Sequence, residues 1–94
     1  MHTRMSRVAC LSLKEAPGPA LETLWEALSA HSPAVEWGLE DATRFYLEAA
    51  GMGDRYGDEG AWCRAVLAAV RTVSATWADV DNRAARLGVA GGRF

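Results

Sequence analysis

The stretch EGAWCRAVLAAVRTVSATWADVDNRAARL, residues 59–87, decides the reading of the fold. Within it Trp62, Val66, Val70, Val73, Trp77, Val80, Ala84 and Leu87 recur at steps of 4, 4, 3, 4, 3, 4 and 3. That spacing marks one face of a helix. Asp58 and Glu59 sit at the positive end of its dipole, and Arg83 and Arg86 at the negative end. Gly88 is the expected stop. At 1.5 Å per residue such a rod is roughly 42 Å long. Its β-branched residues at 66, 70, 73 and 80 lower intrinsic helix propensity, so its order depends on packing. A break near Thr72–Thr76 is the alternative to one continuous rod, and residues 88–94 form a frayed tail.

Upstream, residues 51–58 read as a loop, because Gly51, Gly53 and Gly57 alternate with Asp54 and Asp58. Before it, residues 33–50 read as a second helix. Ser32 suits the N-cap, Pro33 the first helical position, and Gly51 the left-handed stop. Val35, Leu39, Ala42, Tyr46 and Ala49 recur at steps of 4, 3, 4 and 3. Residues 19–30 read as a first helix, opened by Pro19, with Leu21, Leu24, Trp25 and Leu28 on one face. Residues 1–16 are open between a short strand and a helical turn, built on Val8, Cys10 and either Leu11 or Leu13. The expected architecture is therefore all-α: one domain, a small three-helix bundle with a long C-terminal helix.

Composition bounds the function. The 94 residues carry 10 Lys+Arg against 12 Asp+Glu, for a net charge of −2, and 50% of them are hydrophobic. This is the profile of a single globular domain, neither disordered nor membrane-spanning. Lysine occurs once, at Lys14, and the arginines Arg64, Arg71 and Arg86, with Asn82, are interrupted by Asp79. That row is too sparse for a phosphate-binding stripe, which argues against a nucleic-acid partner. The apolar run Val8–Leu13 is six residues long, short of a secretory h-region, so a cytoplasmic location is expected.

The residues that carry chemistry are few. Cys10 and Cys63 lie 53 positions apart, with neither zinc nor redox spacing, and read as reduced thiols. His2 and His31 form no ligand pattern with them, so no metal or cofactor is expected. Cys63 near a helix start, with His31 as base, is the one nucleophile candidate, and a small core residue is the better reading. The pairs Glu40–Asp41 and Asp58–Glu59 read as solvated charge rather than an acid and a base. The glycine-rich loop does not match a phosphate-binding signature.

Trp37 falls off the apolar stripe of the second helix, beside Arg44 and near Leu47. Tryptophan, tyrosine and arginine dominate interface hot spots. Candidate partner-contact residues are accordingly Trp37, Arg44 and Leu47, with Arg55, Tyr56 and Asp58 around the loop and Arg64 and Arg71 on the third helix. The expectation is a non-enzymatic protein-interaction module, a regulator or inhibitor that occupies a partner protein's surface. Phage-encoded inhibitors of host defence complexes, anti-CRISPR proteins among them, and antitoxin-like proteins are small chains of this kind. The alternative is an assembly subunit that forms a homodimer through the third helix; a small Cys/His enzyme comes last.

Overall fold

The computed structural model describes residues 6–15, 17–75 and 85–90. It overturns the all-α, helical-bundle expectation. A four-stranded antiparallel sheet, in the order β2-β3-β1-β4, carries helices on one face. The elements are β1 (Val8–Ser12), a 3-10 turn (Gly18–Ala20), α1 (Leu21–Ser29), β2 (Val35–Trp37), β3 (Arg44–Glu48), α2 (Met52–Tyr56), α3 (Glu59–Ser74) and β4 (Arg86–Ala90). With α2 and α3 taken as one helical corner, the connectivity of the described residues is β-α-β-β-α-β. This is the ferredoxin-like split arrangement, which hosts many unrelated functions and assigns none.

The second helix expected over residues 33–50 is instead the hairpin of β2 and β3, in register Val35↔Leu47, Glu36↔Tyr46 and Trp37↔Phe45. The 4-3-4-3 spacing selected Leu39 and Tyr46, yet Leu39 is 92% exposed, whereas Phe45 and Leu47 are wholly buried. The true period is two: Phe45, Leu47 and Ala49 point into the core. Gly51 is left-handed as its residue type suggests, with φ of 77°, but it turns the chain from β3 into α2. The expected loop over 51–58 thus contains a short helix.

The long rod over 59–87 is also corrected. α3 begins at Glu59, with Asp58 Oδ1 accepting a hydrogen bond from the Ala61 amide at 2.6 Å. It ends at Ser74, inside the β-branched stretch where propensity is lowest. Leu87, the last rung expected of the helical stripe, and Gly88, its expected stop, lie in β4 opposite Leu11 and Cys10. The stripe members Trp77, Val80 and Ala84, together with Asp79, Asn82 and Arg83, lie outside the described residues, as do His2 and residues 91–94.

At the N-terminus the strand alternative holds, with the opposite parity. Ala9, Leu11 and Leu13 are buried, and Val8 and Cys10 lie on the other face. β1 pairs with β3 on one side and β4 on the other, so it is central. The first helix matches best: Leu24 and Leu28 are buried, and Leu21 and Trp25 pack against the same cluster.

The core joins sheet to helices through Ala9, Leu11, Phe45 and Leu47 on one side and Leu24, Leu28, Trp62, Val66 and Val70 on the other. Trp62 is fully buried, and its indole N–H donates to the His31 carbonyl at 2.7 Å, tying α3 to the end of α1. The opposite sheet face carries Val8, Cys10, Ser12, Arg44, Tyr46 and Glu48, none of them buried.

One carboxylate anchors the start of β1. Partial burial pushes the Glu48 carboxyl up, but the amides of Ser6, Arg7, Ala50 and Ala49 outweigh this and hold it below its ordinary value. Arg7 in turn forks onto Glu59 at 2.7 and 2.9 Å, joining β1 to the first turn of α3.

Candidate functional site

The site is organised by the six residues, 38–43, that connect β2 to β3. Asp41 shapes this turn. Its Oδ1 accepts from the Thr43 hydroxyl at 2.5 Å and the Thr43 amide at 2.9 Å, while Oδ2 pairs with Arg44 Nε at 3.1 Å. The Thr43 hydroxyl bond, then the Thr43 amide, holds the Asp41 carboxyl below its ordinary range, and Arg44 adds to this. Asparagine and aspartate side chains that bond the backbone two residues on are a recurrent turn-forming device.

Gly38 is required at the entry to the turn. A Cβ there would lie 2.6 Å from the Asp41 carbonyl oxygen and 3.2 Å from that of Arg44. Both obstacles are backbone atoms, so neither rotates away. Gly38→Ala is expected to destabilise the protein by about 1–3 kcal/mol, the usual cost of overpacking, as read from its denaturant midpoint. An unchanged midpoint would show that the turn is not held as described.

Beside this turn a groove of about 890 Å³ opens over β2. Trp25 from α1 and Val35 and Trp37 from β2 form its apolar wall, and Glu36, Glu40, Asp41, Arg44 and Tyr46 its polar side. Leu39 stands on the rim. Phe45 supports the wall from beneath. Trp37 stacks on it at 6.4 Å between centroids and 22° between planes, and Trp25 meets it edge-on at 6.3 Å. The Trp37 indole N–H donates to the Ala42 carbonyl at 2.9 Å, which fixes the ring against the turn. A second hollow of about 520 Å³ shares Trp25 and adds Leu21, Glu22 and Glu26.

Among the described residues the two hollows are lined by five carboxylates and one cation, Arg44, already paired with Asp41. The local field is therefore negative. A tryptophan wall with a carboxylate rim favours a cationic or partly apolar ligand group, since aromatic faces and carboxylates both attract cations.

The candidate contact residues are divided by this geometry. Trp37 and Arg44 are brought together in the groove. Leu47 is wholly buried in the core and offers no surface. Tyr56 is half-buried, its hydroxyl 2.8 Å from His31 Nδ1. Asp58 caps α3, and Arg55, Arg64 and Arg71 are exposed on the helical layer. Sequence reasoning missed Trp25, Leu39 and Glu36. Trp25 was absorbed into the core stripe of the first helix, and Leu39 into that of the second.

The remaining chemistry is weakly poised. Burial pushes the Cys63 thiol up, with Glu59 adding to this and Arg64 opposing it, and a raised thiol is a poorer nucleophile. The His31 ring is engaged by Tyr56 at 2.8 Å. Among the described residues no three or more His, Cys, Asp or Glu cluster where they could hold a metal ion, and no helix is long and apolar enough to cross a membrane. Within α3 the apolar stripe faces the chain's own core: Trp62, Val66 and Val70 are buried and Val73 is half-buried. No protein-family model matches the chain, and no curated protein or solved structure does either.

Proposed function

We propose that this protein is a non-enzymatic interaction module, a regulator or inhibitor that docks a partner protein in the groove between α1 and the β2–β3 turn. It works in the cytoplasm, a reducing compartment that suits its two free cysteines. The observation that carries the reading is Leu39. It is 92% exposed at the tip of a turn whose conformation is fixed by Asp41, and it borders a wall of two tryptophans. The anchors of such a surface are the two tryptophans, a residue type that dominates interface hot spots; Leu39 extends their apolar patch onto an ordered turn, and rigid presentation lowers the cost of association.

A photo-reactive residue placed at position 39 in cells tests this. It is expected to yield a discrete covalent adduct, whereas the same group at the exposed Arg71 of α3 does not. Reversing the rim charge with Glu40→Lys is expected to diminish the adduct. Equal labelling from both positions, or none from position 39, would remove the groove as the docking surface.

A further inference from the structure

The backbone register settles which groups of β2 face outward. The Gly38 amide donates to the Arg44 carbonyl and the Glu48 amide to the Ala34 carbonyl, both at 2.9 Å. Residues 34, 36 and 38 thus turn their backbone groups to β3, because hydrogen-bonded pairs alternate along an antiparallel ladder. The N–H and C=O groups of Val35 and Trp37 point the other way. Among the described residues β2 is the last strand of the sheet on that side, so these groups line its edge, and the groove runs along the same edge.

An open edge invites another strand. A second copy of this chain is disfavoured by its own sequence. Antiparallel pairing of β2 with itself that uses both Val35 and Trp37 sets Glu36 directly opposite Glu36 of the copy. The two would form a non-hydrogen-bonded pair, with Cα atoms only about 4.5 Å apart, and like charges placed so are destabilising. Sliding the register by one pair brings either Pro33 opposite Trp37, where proline has no N–H to give, or Leu39 opposite Val35, where the chain has already left β2 for the turn. A strand with a cation at that place meets the opposite situation. Its charge faces Glu36, with Glu40 and Asp41 on the rim beyond. Its neighbours on either side fall on the face of Val35 and Trp37, against the tryptophan wall.

We propose that β2 is a strand-addition edge: an extended segment of a partner protein joins the sheet as a fifth strand, its lysine or arginine opposite Glu36 and apolar residues on either side against Trp25 and Trp37. This rests on the docking reading above and specifies its mode and its chemistry. Main-chain hydrogen bonds supply the affinity and the alternating side chains the selectivity.

The test uses the full chain and capped heptapeptides Ser-Thr-Val-X-Val-Thr-Ser, with X as lysine or glutamate, followed by backbone amide NMR. The lysine peptide is expected to shift the Val35 and Trp37 amides most and to slow their hydrogen exchange, at millimolar affinity or better. The glutamate peptide should bind about fivefold more weakly, and Glu36→Lys should invert that order. N-methylation of the two valines should abolish binding, since it removes the donors to Val35 and Trp37. Three outcomes overturn the proposal: no shift with either peptide, indifference to X, or shifts at Leu39 and Trp25 without slowed exchange at Val35 and Trp37. The last leaves the groove as a docking site, which the adduct from position 39 judges separately.

Discussion

Trp62→Ala is expected to cost about 3–5 kcal/mol of stability, the range for truncating a buried aromatic residue. That is a large share of the roughly 5–15 kcal/mol that holds a typical domain together. Trp62 is wholly buried at the centre of the cluster, where α3 meets α1 and the sheet. Alanine would leave a cavity and would strip the His31 carbonyl of the indole N–H that meets it at 2.7 Å. Trp62→Phe separates the two effects: it keeps most of the volume, loses the donor, and should cost about 1–3 kcal/mol. Urea unfolding followed by circular dichroism checks both. Midpoints near that of the parent protein would mean that α3 does not pack as described.

Phe45→Ala carries a similar expected loss, about 3–5 kcal/mol, with a second consequence at the site. Phe45 is wholly buried in β3, and its ring supports both Trp25 and Trp37. Removing it should let the tryptophan wall sag into the vacated space. The expected signature is a lower melting temperature with weakened near-ultraviolet circular dichroism, and Phe45→Leu should recover much of the stability but not the aromatic signal. A variant that lost stability while keeping the tryptophan signal intact would separate the groove from its support.

How much of this was legible in the sequence depends on the element. α1 and the start of α3 were, because each has a local signal that nothing overrides. Pro19 opens one, Asp58 caps the other, and their apolar faces recur at helical spacing. The β2–β3 hairpin was not. Residues 33–50 satisfy a helical period with Val35, Leu39, Ala42, Tyr46 and Ala49, and they satisfy a period of two with Phe45, Leu47 and Ala49. Periodicity alone does not choose between these. The content of Val35, Trp37, Phe45 and Tyr46 favours strand, and Gly38 with Asp41 marks the turn between two short runs.

The same ambiguity hid β4. Leu87 fits the end of a helical stripe, and it fits equally a strand alternating with Val89. What decides between them is pairing with β1, a contact some 76 residues away in sequence, between Leu11 and Leu87. Pairing at that range leaves no local trace.

For the site, Trp37 and Arg44 both line the groove, reaching it from a hairpin rather than from a shared helix face. Leu47 does not. A strand sends alternate residues to opposite faces, and Leu47 is on the buried one. Leu39 went unrecognised for the converse reason. A helical stripe would have hidden it, whereas the turn exposes it.

The most direct test of this account is the set of short Hα–Hα contacts in a proton NMR spectrum of the protein. Non-hydrogen-bonded antiparallel pairs bring Cα atoms to about 4.5 Å. The register therefore predicts strong cross-peaks for Val35–Leu47, Trp37–Phe45 and Cys10–Tyr46. Unbroken helical connectivities from residue 33 to residue 50, with those three cross-peaks absent, would contradict the sheet and the groove built on its edge.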